Sequence, residues 1–301
     1  FQCESEPRYR LLCASRNLTD DHSWDVLLRL DGEVDGERSR ETHVQNEPLV
    51  RFLRSLSKRA VVDLPRDRVE TISRLASRVR NVRWDQLDGA EATFHFIDGQ
   101  RPYDLDVTGT DALIISPFIS DDQIAAFRSG LRGRTTLLAR PEQLDRLDPS
   151  TFDRNLRPMV LNEDANVADV LATELEQESR SLSGLHAKAL IVHDNYKARL
   201  IVGSANATTN AYTRNVEMMV EFTLRQSQYG IDATIDALGD LAEPYATNGG
   251  ASVPEDEEAA FRREAYCREL AGHRFYIRLF DDDPHGVRIW ADPSAEPTVN
   301  N

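Results

Sequence analysis

The chain has 301 residues, 40% hydrophobic and 29% charged, with a net charge of -15 at pH 7. That composition excludes a disordered chain and a membrane-spanning one, and no apolar run approaches the roughly 18 residues of a spanning helix. The acidic balance also argues against a protein that coats nucleic acid through general positive charge, although it leaves room for a local basic cleft.

The opening residues, "FQCESEPRYRLLCAS", show no signal-peptide order and no initiator Met, so the chain is expected to begin inside a longer protein. Cys3, Cys13 and Cys267 are few, odd in number and without metal spacing, which fits a reducing compartment; the cytoplasm is expected. No metal site and no cofactor is expected. All but three of the 36 basic residues are arginine, the lysines being Lys58, Lys188 and Lys197. A lysine two residues after a histidine is conspicuous on that background.

"RLLCASRN" reads as a strand, "SWD" around Trp24 as core packing, and "DVLLRL" as a second strand. "NEPLVRFLRSLSKRAV" and "LPRDRVETISRLASRVRNVRW" read as amphipathic helices, with Val69, Ile72, Leu75, Val79 and Val82 at helical spacing. "EATFHFIDG" is a short strand. Strand and helix then alternate: "DALIISPFIS" and "RTTLLAR" as strands, each followed by a helix, and "RPMVLN" as a third strand. After an acidic stretch come "HAKALIVH", "ARLIVGSAN" and "VEMMVEFTL" in close succession. Beyond residue 240 a loop, a solvated helix, "EEAAFRREAYCRELAG", and two strands around "DDDPHG" form an accessory module. The pattern predicts a layered α/β fold with a mixed sheet.

An internal repeat organises the chain. "RLLCASRNLTDDHSWDVLLRL" matches "RLIVGSANATTNAYTRNVEMMVEF", placing Leu11, Ser15, Asn17 and Thr19 opposite Leu200, Ser204, Asn206 and Thr208. With a three-residue gap, Asp25 falls opposite Glu217. In the complete copy His186 and Lys188 share one face of an extended segment, as do Ser204 and Asn206. If their strands are neighbours, an imidazole, an ammonium and an amide converge on one spot, a combination suited to a phosphodiester. Lys188 and Asn206 would hold the non-bridging oxygens, His186 would attack phosphorus or protonate a leaving group, and Glu217 would fix its tautomer. "VGSAN" lacks the strand-to-helix elbow of a serine nucleophile. His193-Asp194 reads as a solvated strand end.

His186-x-Lys188, Asp194, Gly203-Ser204-x-Asn206 and Glu217, in that order, resemble the signature of the phospholipase D superfamily. The chain is most similar in this to bacterial phospholipase D-like nucleases, some of which accompany helicases in phage defence. The resemblance implies an α/β/α fold in two pseudo-repeated halves and a metal-independent phosphodiesterase working through a phosphohistidine. It implies residues 1–105 as the remnant of a first half with a helical insertion, 106–228 as a complete second half, and 229–301 as an accessory extension. His186, Lys188, Asn206 and Glu217 would be catalytic, Ser204, Ser15 and Asn17 would bind phosphate, and Asp25 and Asp194 would support them. The implied partners are DNA or RNA as substrate, a helicase or other defence protein, and a second copy of the chain, with no membrane.

The aspartate of the family stands five residues after the lysine, where this chain has His193, with Asp194 one later. The first copy also lacks a His-x-Lys, because the equivalent position falls upstream of Phe1. The second histidine is therefore expected from upstream residues or a second subunit. A non-catalytic phosphate-binding or nucleic-acid-binding scaffold, partnering a helicase or nuclease, is the reading from another class; a phospholipid hydrolase is a third.

Overall fold

A computed structural model describes residues 8–15, 23–34, 39–162, 184–279 and 287–290. The chain divides into two units, one of residues up to Leu53 with Arg74–Ala251, the other of Arg54–Ser73 with the residues from Ser252 onward.

The first unit opens with β1 (Arg8–Ala14) and β2 (Leu27–Val34), paired antiparallel from Arg8↔Glu33 to Ala14↔Leu27. α1 (Arg40–Arg59), in this unit as far as Leu53, and α2 (Arg66–Val79), in it from Arg74, follow, and then β3 (Val82–Trp84), which pairs with β2. The helical periodicity through Val82 suggested that α2 runs on to Trp84. Instead Val82 and Trp84 are buried and Arg83 is exposed, the period-two pattern of a strand.

A second sheet has eight strands. These are β4 (Thr93–Ile97), β5 (Ala112–Ile115), β6 (Thr135–Leu138), β7 (Leu156–Leu161), β8 (Ala189–Asp194), β9 (Lys197–Gly203), β10 (Glu217–Arg225) and β11 (Ala242–Pro244), in the order β11-β7-β6-β5-β8-β9-β10-β4. β5, β6 and β7 run parallel through the connecting helices α3 (Asp121–Arg128) and α4 (Pro141–Arg146), whereas the other pairs are antiparallel. The sheet is therefore mixed. All four residues of β6 are buried, as expected of a strand covered on both faces.

Ile124 and Phe127 of α3 and Leu144 of α4 pack on one face, against Ile114, Leu137, Leu190 and Ile201. On the other face lie two groups of side chains. Cys13, Leu30, Val82 and Trp84 from the three-stranded sheet meet Val220, Phe222 and Leu224, and Ile231 meets Leu113, Leu138 and Ile191. Each large side chain so buried contributes about 1.5–3 kcal/mol. Ile231 opens α7 (Ile231–Leu238), which follows α5 (Thr209–Thr213) and α6 (Gln226–Tyr229). β11 then pairs with β7, an edge position with no strand pattern in the sequence. Helices and the small sheet thus cover a central mixed sheet in three layers.

The second unit contains α8 (Glu255–Ala271) and the hairpin of β12 (Tyr276–Leu279) and β13 (Val287–Trp290), with Tyr276 and Trp290 stacked at 5.9 Å. The "DDDPHG" turn lies outside the described residues. Among the described residues no helix is long and apolar enough to cross a membrane.

Candidate active site

The two copies of the repeat fold alike. In the first, Ser15 Oγ donates to Asp25 Oδ1 at 3.0 Å and accepts from the Val26 N–H at 2.9 Å, while the Ser15 N–H donates to the Val26 carbonyl at 2.9 Å. In the second, Ser204 Oγ donates to Glu217 Oε2, accepts from the Met218 N–H at 3.1 Å, and the Ser204 N–H donates to the Met218 carbonyl at 3.1 Å. Each serine therefore binds the acid of its own copy and the backbone of the next residue. Asn17 and Thr19 lie outside the described residues.

Backbone pairing brings the first acid to the histidine. The Trp24 N–H donates to the Gly184 carbonyl and the His186 N–H to the Trp24 carbonyl, each at 2.9 Å, a parallel bridge centred on Leu185. Asp25 Oδ1 consequently sits 3.8 Å from His186 Nδ1. The sequence reading set Glu217 against His186; the carboxylate facing it is Asp25, because the bridge joins the copies crosswise. Trp24, read as core packing, is 40% exposed, and its main chain makes the bridge.

Lys188 lies beneath this pair, 5% exposed. Its ammonium donates to the Ser15 carbonyl at 2.7 Å and the His186 carbonyl at 3.0 Å, and lies 3.2 Å from His186 Nδ1. The two carbonyls take two of the three protons of an ammonium, and the third faces the imidazole nitrogen. Burial lowers the Lys188 pKa to about 8, although the Glu217 and Asp25 charges oppose the shift. Burial, with the Lys188 charge, also lowers the His186 pKa, which favours the neutral imidazole. Desolvation raises that of Glu217 against its bonds from Ser204 and from Asn215 Nδ2, the latter at 3.1 Å. Lys188 and Asp25 face one imidazole nitrogen: Lys188 donates to a bare Nδ1, whereas Asp25 accepts from a protonated one.

The Gly-Ser-x-Asn loop is placed by close approach and by stitching. A Cβ on Gly203 would stand 2.2 Å from the Met218 carbonyl oxygen, so only glycine lets β9 and β10 meet there. Ser116, buried in the "SPFIS" loop, accepts from the Ala207 N–H at 2.9 Å, and the Ser120 N–H donates to the Ala207 carbonyl at 3.0 Å. Next to the anchored Ala207, Asn206 Oδ1 is buried with no hydrogen-bond partner among the described residues.

Asp194 is not brought to the site. It is exposed at the far end of β8, about 20 Å along an extended chain from Lys188. His193, read as part of a solvated strand end, is 5% exposed. Its Nε2 accepts from the Ile231 N–H at 2.8 Å and Nδ1 is 2.9 Å from the Gln226 side-chain amide, anchoring β8 to the start of α7.

One further group near the cluster was not singled out from the sequence. Arg140, following β6, donates from Nε to the Leu185 carbonyl at 3.1 Å, and its charge lowers the pKa of both His186 and Lys188. Among the described residues no three His, Cys, Asp or Glu side chains gather as metal ligands.

No family model and no curated protein matches the chain. Solved structures similar to it include the yeast tyrosyl-DNA phosphodiesterase, at 12% identity over 45% of this chain and 33% of that one, with a TM-score of 0.32. The chain therefore spans about a third of the yeast enzyme's length. Nuc from Salmonella typhimurium, a phospholipase D family member, shares 12% identity over 52% of this chain and 99% of its own, with a TM-score of 0.32. Phosphatidylserine synthase from Haemophilus influenzae Rd KW20 shares 10% identity over 84% and 63%, with a TM-score of 0.39. Each of these likenesses has a TM-score below 0.5, and none carries the neighbours' substrates to this chain.

Proposed function

We propose that the chain is a phosphodiesterase of the phospholipase D type, that its substrate is DNA or RNA, and that His186 is the group that bonds to phosphorus. The observation that carries this reading is the convergence of an imidazole, a buried ammonium and the carboxylate of the other repeat copy within hydrogen-bond or ion-pair distance. His186 Nε2 attacks phosphorus, the N–P bond forms, and the bond to the leaving oxygen breaks. Attack through Nε2 requires the ring proton on Nδ1, and Asp25 is the carboxylate placed to hold it there. Lys188 supplies positive charge beneath the developing negative charge in a buried setting, where the low dielectric strengthens its effect.

The leaving oxygen needs a proton. The Ser15–Asp25–His186 arrangement, repeated around Ser204 and Glu217, calls for a second imidazole against Glu217, supplied by upstream residues or a second subunit. That imidazole protonates the leaving oxygen and then takes a proton from water, which attacks phosphorus and releases His186. Nucleic acid is preferred as substrate because the motif resembles that of phospholipase D-like nucleases.

The test is an assay on single- and double-stranded DNA and RNA, with and without EDTA, for the native chain and His186→Ala. The expected result is cleavage that survives EDTA and is lost in the variant. Abolition by EDTA would contradict the mechanism, and cleavage of phospholipid vesicles without cleavage of nucleic acid would reassign the substrate.

A further inference from the structure

Lys188 has little to spare for phosphate recognition: two of its three protons go to the Ser15 and His186 carbonyls, and only the one facing His186 Nδ1 is open when that nitrogen holds its own proton. More than one substrate oxygen could be held there only by displacing the Ser15 or His186 carbonyl from a buried ammonium, at the cost of an unpaired buried acceptor. A different cation lies beside His186 with donors to spare. Arg140 is held by Nε on the Leu185 carbonyl, one residue before His186, and by the face of its guanidinium, whose carbon is 5.1 Å from the Phe118 ring centre. The two contacts come from the histidine segment and from the "SPFIS" loop that anchors Ala207. They fix the plane of the fork, and its two terminal nitrogens make no hydrogen bond or ion pair with a described residue. A guanidinium held at one edge and one face, with both terminal amino groups available, is preorganised for two-pronged binding of phosphate oxygens.

We propose that Arg140 grips the phosphate oxygens of this site with its two terminal amino groups, beside a buried Lys188 that also joins Ser15 to His186. The assignment rests on the phosphodiesterase reading and adds to it the side chain that recognises the substrate's anionic oxygens. The influence of the Arg140 charge on both His186 and Lys188 is in keeping with this placement.

Binding of a short fluorescent single-stranded oligonucleotide to the full chain, followed by anisotropy over a salt series, tests the assignment. Arg140→Gln should weaken binding about tenfold, the loss of one charge-assisted contact, and reduce the slope of log K against log salt by about 0.7. Arg140→Lys, which keeps the charge but loses the fork, should keep the slope and lose part of the affinity. An unchanged slope in Arg140→Gln would overturn the proposal. Should that variant not fold, phenylglyoxal labelling of the native chain, mapped by mass spectrometry, decides the matter. Inorganic phosphate should protect Arg140 but not Arg128, which is ion-paired to Asp153; equal labelling of Arg140 with and without phosphate would overturn the proposal. Protection by inorganic phosphate without oligonucleotide binding would uphold Arg140 and refute the nucleic-acid reading.

Discussion

Lys188 Nζ stands 2.7 Å from the carbonyl oxygen of Ser15, a hydrogen bond that spans 173 residues of sequence and joins the two copies of the repeat at a buried point. The same ammonium holds the His186 carbonyl, so the histidine and the Ser15–Asp25 pair are fixed relative to one another by one side chain.

This burial makes stability depend on alkaline pH. The unfolded lysine keeps its proton up to its ordinary value of 10.5, whereas the folded one gives it up near about 8. Between those values the unfolded state binds more protons, so stability rises with pH across that window, by about 3 kcal/mol if the whole shift is realised. Urea melts at pH 8 and pH 10 should show this gain in the native chain and not in Lys188→Met. Equal pH dependence in the two proteins would show that Lys188 is not desolvated.

Ser15→Ala and Ser204→Ala should cost similar amounts, about 1–3 kcal/mol each, because each strands one carboxylate and one backbone N–H in the same pattern. Ser204→Ala should also push the Glu217 pKa further up, since the hydroxyl is a bond that lowers it. Carboxyl carbon shifts followed by NMR against pH would read this directly.

Gly203→Ala should destabilise the fold by about 1–3 kcal/mol and lower cleavage, because the methyl group meets the Met218 carbonyl and separates Ser204 from Glu217. Wild-type melting and activity in this variant would remove the close approach of β9 and β10 from the account.

His193 should make stability fall on mild acidification. Burial lowers its pKa, so as pH drops below 6.5 the unfolded state takes up a proton before the folded state does. Protonation of Nε2 would also break the bond from the Ile231 N–H. The melting temperature of the native chain should drop between pH 7 and pH 5.5 by more than that of His193→Gln, and a parallel drop would rule the anchor out.

The central strands and the Ser-x-Asn repeat were legible because their signals are local: apolar runs of strand length, and side chains at fixed spacing. The pairing of His186 with Asp25 was not, since it depends on the Trp24–Leu185 bridge between segments far apart in sequence. β3 was hidden inside a helical period, and only its pairing with β2 decides it. Arg140 is one of many arginines, and nothing in its neighbours in sequence marks the Phe118 ring or the Leu185 carbonyl that hold it. His193 looked like a strand end because α7, which buries it, begins far along the chain at Ile231.

The central claim is that His186 bonds to phosphorus, and rapid acid-free quenching of the reaction with an internally ³²P-labelled oligonucleotide, followed by peptide mapping, tests it most directly. The account predicts alkali-stable, acid-labile label on the peptide containing His186 and none in His186→Ala. Turnover by the native chain with no protein-bound label, or label that persists in His186→Ala, would contradict it.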